Sequence, residues 1–200
     1  LEVYADILWS FGRRSEARQV VERQLKLARQ SGHPNLLGSA LLQQVVFAHE
    51  AVTLEERLEP MREALELHRG EGARSREARV LMRMAVSYQD SNEQDKALQL
   101  AEEALAIGRE LDSLLIEGQV LQFRAIYYMN IGDMERCESN LEEAFVIARS
   151  LDQFSMIVRS LSTLGTFTKD QGQLDRSVQA HEEGIRYSRL MGARSHECVL

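Results

Sequence analysis

Proline is scarce in this 200-residue chain, present only as Pro34 and Pro60, so nearly every stretch is free to run as helix. Cysteine is too sparse for a disulfide framework: Cys137 and Cys198 are the only two, which favours a reduced, cytoplasmic setting. Aromatic residues make up 6% of the chain and β-branched runs are few, which speaks against sheet. A basic excess is missing as well. The net charge of −7 argues against nucleic acid or an anionic membrane surface as a direct partner. No apolar run approaches the ~20 residues of a membrane-spanning helix, and no secretory signal opens the chain. The first residue is Leu1 rather than Met, so a preceding segment is expected in the whole protein. What remains is a composition 44% hydrophobic and 28% charged, rich in Leu, Ala, Glu, Gln and Arg, and this predicts an all-α fold.

An internal period organises those helices. Residues 96–111, 136–151 and 176–191 align without a gap, placing Glu103, Glu143 and Glu183 at steps of 40; two further steps back reach Glu63 and Arg23. Each copy holds two apolar-periodic halves. In the third copy Leu81, Met84, Ala85 and Tyr88 mark one helix face, 90–95 reads as a turn, and Ser91 with Gln94 predicts a capping box for the following helix. Small residues such as Ala97 and Ala104, or Cys137 and Ala144, let the paired helices approach closely, so Cys137 reads as a packing residue. The second copy is the irregular one. Thr53 and Glu56 predict a capping box there, and Pro60 predicts a distortion near 57–60.

With these residues the repeat resembles the tetratricopeptide (TPR) family. Gly132-Asp133, Gly12 and Gly172 fit its turn, Leu164-Gly165 its Leu-small pair, and Ala17, Ala64, Ala97, Ala104 and Ala144 its second-helix alanines. The unit of 40 residues departs from the usual 34. Arg109, Arg149 and Arg189 stand where that family carries a proline near the end of the second helix. The longer unit is similar to the extended TPRs of MalT-like bacterial regulators, kinesin light chains and Gα-regulating scaffold proteins.

The resemblance implies a right-handed superhelical solenoid of antiparallel helix pairs. It implies one array with copies at 1–34, 35–74, 75–114, 115–154 and 155–194, then the start of a sixth first helix at 195–200, as in a fragment of a larger protein. In such arrays the first helix of each pair (helix A) lines a concave groove. By that implication the partner-binding residues are Trp9; Leu42, Val46 and His49; Arg79, Met82, Val86 and Gln89; Gln119, Gln122, Ile126, Met129 and Asn130; and Arg159, Thr166 and Lys169. This mixed set lacks the Lys, Arg and Asn cluster with which some TPR domains clamp a terminal carboxylate. It suits an extended peptide or a partner helix, or another domain of the same chain. The competing expectation is an effector-sensing or autoinhibitory regulatory domain of a signalling protein or MalT-like transcriptional regulator. Partner identity and oligomeric state are not encoded in such a groove.

Nothing in the sequence assembles an active site. His33, His49, His68, His181 and His196 are scattered without metal-ligand spacing, and His181 reads as a buried packing histidine. The pairs Glu102-Glu103, Glu142-Glu143 and Glu182-Glu183 point to a solvated helix face, since sequence neighbours on a helix do not face each other. No phosphate loop or GxSxG motif occurs. The reading is a non-enzyme without cofactor or metal.

Overall fold

The structure, a computed structural model, describes residues 2–48 and 52–197. Ten helices occupy the described residues: α1 (Glu2–Ser10), α2 (Arg14–Ser31), α3 (Pro34–Val46), α4 (Leu54–Gly70), α5 (Arg74–Asp90), α6 (Gln94–Glu110), α7 (Leu114–Ile131), α8 (Met134–Ser150), α9 (Phe154–Asp170) and α10 (Leu174–Glu197). Helices joined by short connections pack as antiparallel pairs: α1 with α2, α3 with α4, α7 with α8, and α9 with α10. The odd-numbered helices are the helix A of each pair. The chain divides into two compact units, Leu1–Ile107 and Gly108–Leu200.

A single stereochemical device sets the helix lengths. Residues with positive φ, from 49° to 81°, stand at Gly12, Gly32, Gly72, Asn92, Asp112, Gly132, Asp152 and Gly172, in steps of twenty apart from one gap. Each ends a helix in the left-handed region, which Gly, and next Asn and Asp, reach at least cost. The following amide then reaches five residues back: Glu93 N to Tyr88 O at 2.9 Å, Ser113 N to Gly108 O at 2.8 Å, Gln173 N to Thr168 O at 2.8 Å. This satisfies carbonyls that the helix end would otherwise strand. The next helix starts two residues on.

The second copy departs from this rhythm, though not at its proline. The capping box at Thr53 forms as expected: Thr53 Oγ1 accepts from Glu56 N at 3.3 Å, and Thr53 N donates to the Glu56 carboxylate at 2.7 Å. From there α4 runs unbroken through Pro60 to Gly70. One missing hydrogen bond does not end a helix whose Leu58, Met61, Ala64 and Leu65 are all buried. The irregularity lies earlier, where α3 stops at Val46 after 13 residues while α4 and α5 have 17. Phe47 caps it, buried, with its ring edge-on to Trp9 at 5.0 Å and its carbonyl accepting from Arg18 Nε at 3.0 Å.

Two further expectations are corrected. Ser91 does not start α6; it closes α5, and its hydroxyl accepts from Arg57 Nη2 at 3.4 Å, because the left-handed Asn92 intervenes. Residues 195–197 do not open a new helix. They continue α10, which passes through Gly192 without a turn, and 198–200 lie outside the described residues.

Large-for-small exchanges between paired helices fill the core. His68 is fully buried and lies against Gly38 of α3, where an added Cβ would be 2.7 Å from its ring. Its Nδ1 is 3.3 Å from Asn35 Oδ1, and its Nε2 is buried without a partner. Burial, with Arg76 and Arg79 nearby, holds its pKa below the ordinary 6.5. An unfolded-state imidazole therefore takes up a proton at a higher pH than the folded one does. Stability contributed by neutral His68 is full above pH ~6.5 and is lost as pH falls from there toward the folded-state pKa. Melting temperatures recorded from pH 7.5 down to 5 should show this decline, and His68→Gln should flatten it over the same window.

The helix A face as candidate functional site

In the 1–107 unit the face is built by α1, α3 and α5. They enclose a concavity of about 140 Å³. Leu42 and Phe47, both buried, form its apolar wall, and Val46 lies at its edge, 41% exposed. Its polar lining comes from Arg79 and Arg83, one helical turn apart on α5, together with Asp6 of α1 and Gln43 and Ser39 of α3. Gln43 is 7% exposed and its Oε1 has no hydrogen-bond partner.

The other expected groove residues of this unit divide by burial. Val86 is 37% exposed at the repeat position of Val46, and Met82 and Gln89 are half-buried. Trp9 is held in the core of the first pair by Phe47, with the Arg14 and Arg18 guanidiniums 5.3 and 5.8 Å from its ring centre. That leaves it a packing residue, half-buried, more than a free groove side chain. His49 lies outside the described residues.

In the 108–200 unit the face is carried by α7 and α9. Asn130, Arg159, Thr166 and Lys169 are exposed, whereas Gln119, Ile126 and Met129 are half-buried. Met129 packs against the cluster of Ala125, Cys137, Leu141 and Phe167. Gln122 is committed inward. It is 3% exposed, and its amide nitrogen donates to Met156 O at 2.6 Å and to Ser160 Oγ at 2.7 Å, tying α7 to α9.

The remaining chemistry is structural. Cys137 is fully buried, and burial pushes its thiol up to about 11, so it is an un-ionised packing group at neutral pH. His181 corrects the expectation of burial: it is exposed, although one side of its ring covers Gly165. Among the described residues no helix packs on the other side of α10. Among those residues, too, no three His, Cys, Asp or Glu side chains group to hold a metal ion, and no helix is long and apolar enough to cross a membrane.

Residues 78–111, spanning most of α5 and all of α6, match the tetratricopeptide repeat family model. The fold matches the crystal structure of BtubC (BKLC) from P. vanneervenii over 96% of this chain and 79% of that one, at a TM-score of 0.69 and 18% identity. The chain has a TPR-like fold. Two other solved structures agree. TPR-like repeats ascribed to a Podosopora anserina kinesin light chain match over 95% of this chain and 93% of theirs, at a TM-score of 0.60 and 13% identity. Aspartyl phosphate phosphatase F from Bacillus subtilis matches over 78% of this chain and 41% of its own, at a TM-score of 0.67 and 13% identity. At such identities the likeness is one of fold. No curated protein sequence matches the chain.

Sequence reasoning missed several residues of the concavity, Gln43 and Arg83 among them, and one structural charge. Gln43 and Arg83 occupy the same repeat position and both line the concavity, a correspondence visible in the 40-residue alignment. Glu77 is 4% exposed at the start of α5. Burial raises its pKa, but hydrogen bonds from Arg69, at 2.8 Å, and from Arg74 outweigh that and leave it below the ordinary carboxylate range. Its signal in the sequence is the pair of arginines within one helix turn and one interhelix turn of it.

Proposed function

We propose that this chain is a protein-interaction module that docks a peptide or partner helix on its helix A faces, in a reducing, cytoplasmic setting. The observation that carries the reading is Val46 and Val86. They are exposed valines at equivalent positions of adjacent repeats, and on α5 the other apolar side chains are buried or half-buried. Fully burying an exposed valine contributes ~1.5 kcal/mol or more, and an apolar ligand side chain would recover the part of it that these two-fifths-exposed valines forgo. The spacing suits a ligand that runs across successive repeats. The regulatory alternative, an effector-sensing or autoinhibitory domain, would use the same faces with a segment of the same polypeptide as occupant.

Peptides selected from a random library against the chain test this. Val46→Glu and Val86→Glu, both at exposed positions, should weaken the selected peptides ~tenfold or more. Val146→Glu, at a residue 66% exposed on α8, should leave them unchanged. Peptides that respond to Val146 alone, or a library that gives no binder, would overturn the proposal.

A further inference from the structure

A stripe of α10 is open to solvent where the second helices of the other pairs are covered. Leu174, Val178, His181 and Ile185 follow one another at i, i+4, i+7 and i+11, so they share one side of the helix, and all four are exposed. At the repeat position of His181 the earlier copies hold Val21, Met61, Ala101 and Leu141, each of them buried. At that of Ile185, Leu65 and Leu105 are buried, and at that of Val178, Leu58 is buried. The first helix of the following pair makes the difference. Leu141 of α8 shares a core cluster with Phe167 of α9, and Leu164 of α9 packs against the same cluster. The outward helix of a repeat stack ordinarily keeps a polar face, and a contiguous apolar stripe in its place marks a docking surface.

The other half of such a contact is exposed on α1. Val3 and Tyr4 are 70% and 52% exposed, Ile7 is 42% exposed one turn along the same side, and Phe11, in the turn that follows, is 72% exposed. Tyr4 and Ile7 hold the repeat positions of Leu164 and Phe167, the side chains that α9 sets against α8. Val3 holds that of Phe123, which is buried.

We infer that α10 of one copy of this chain docks against α1 of a second copy, so that the packing of a second helix on the next first helix continues from chain to chain. Tyr4 of the second copy lies against Leu174, Val178 and His181 of the first, as Leu164 lies in the cluster of Leu141. A second copy is the occupant because this chain carries both halves of a contact that it already makes within itself, and a foreign helix would require only one of them. The two surfaces differ, so the contact is head-to-tail, and an assembled pair still presents one of each. It is independent of the peptide-docking reading, which uses Val46 and Val86.

Sedimentation equilibrium of the 200-residue chain over a range of concentrations tests this. The average mass should rise from that of one chain, 22.8 kDa, past that of two, since every pair keeps both surfaces open. Val178→Glu and Tyr4→Glu, both at exposed positions, should each weaken association ~tenfold or more. Mixed in equal amounts, the two variants should pair again and stop at two chains, because the intact α1 of one meets the intact α10 of the other. Val146→Glu, on the exposed face of α8, should associate as the unaltered chain does. Should either variant lose helical circular dichroism, Leu174→Ser and Val3→Ser take their places. One-chain mass at every concentration would overturn the second copy as occupant. Association that persists in Tyr4→Glu alone, or that is lost in Val146→Glu, would overturn the head-to-tail contact.

Discussion

Gly38→Ala is expected to destabilise the 1–107 unit by ~2 kcal/mol, although alanine for glycine inside a helix ordinarily stabilises by ~1 kcal/mol. The sign is set by His68. The new methyl would stand 2.7 Å from the Cε1 and Nε2 atoms of that ring, and the ring is fully buried, with Asn35 holding its other side. Removing the ring should therefore restore the ordinary sign: in a His68→Ala background, Gly38→Ala should raise stability. Denaturant melts of the four proteins in this cycle, followed by helical circular dichroism, measure the coupling directly. Additive effects would show that the ring moves aside and that the exchange of a large residue for a small one is not what packs the second pair.

Gln122→Arg should cost the 108–200 unit ~3 kcal/mol or more, because it places a charge where only 3% of the side chain is exposed and deletes two interhelix hydrogen bonds. Gln122→Met, which keeps the volume and loses the amide, should cost ~1–2 kcal/mol. Thermal unfolding of both variants checks the order. Full stability of the arginine protein would mean that the side chain reaches solvent, which would return this position to the surface.

The contrast between those two residues and their repeat equivalents shows what the sequence discloses. Periodicity carries the helices, their pairing and their turns, since the packing residues and the turn glycines recur at fixed steps. Burial at a given repeat position does not recur in the same way. Leu42, Met82, Gln122 and Ser162 share one position, yet Leu42 and Gln122 are buried, Met82 is half-buried and Ser162 is exposed. Gln122 turns inward because its neighbour at the position of Ala40, Val80 and Val120 is Ser160, whose hydroxyl accepts from it. A groove residue is thus decided by a partner 38 residues away, on the next repeat, and single-helix patterning does not register that. The same holds for His68, which is buried because position 38 is glycine. Trp9 was drawn to the core by Phe47, where the shortened α3 turned it inward. The apolar half of the concavity was legible at Leu42 and Val46, and of its two arginines only Arg79 was.

The left-handed residues that recur every twenty positions make the chain divisible. Asn92 and Gly132 occupy the same phase, so a splice from Asn92 directly to Asp133 would remove α6 and α7 and keep the alternation of first and second helices. A splice from Asn92 to Ser113 would preserve the turn just as well, yet it would seat an inner helix where an outer one belongs. Turn chemistry is indifferent to the half-step, and side-chain packing is not. Length changes in this architecture are therefore quantised at forty residues by the core, although the backbone alone would accept twenty.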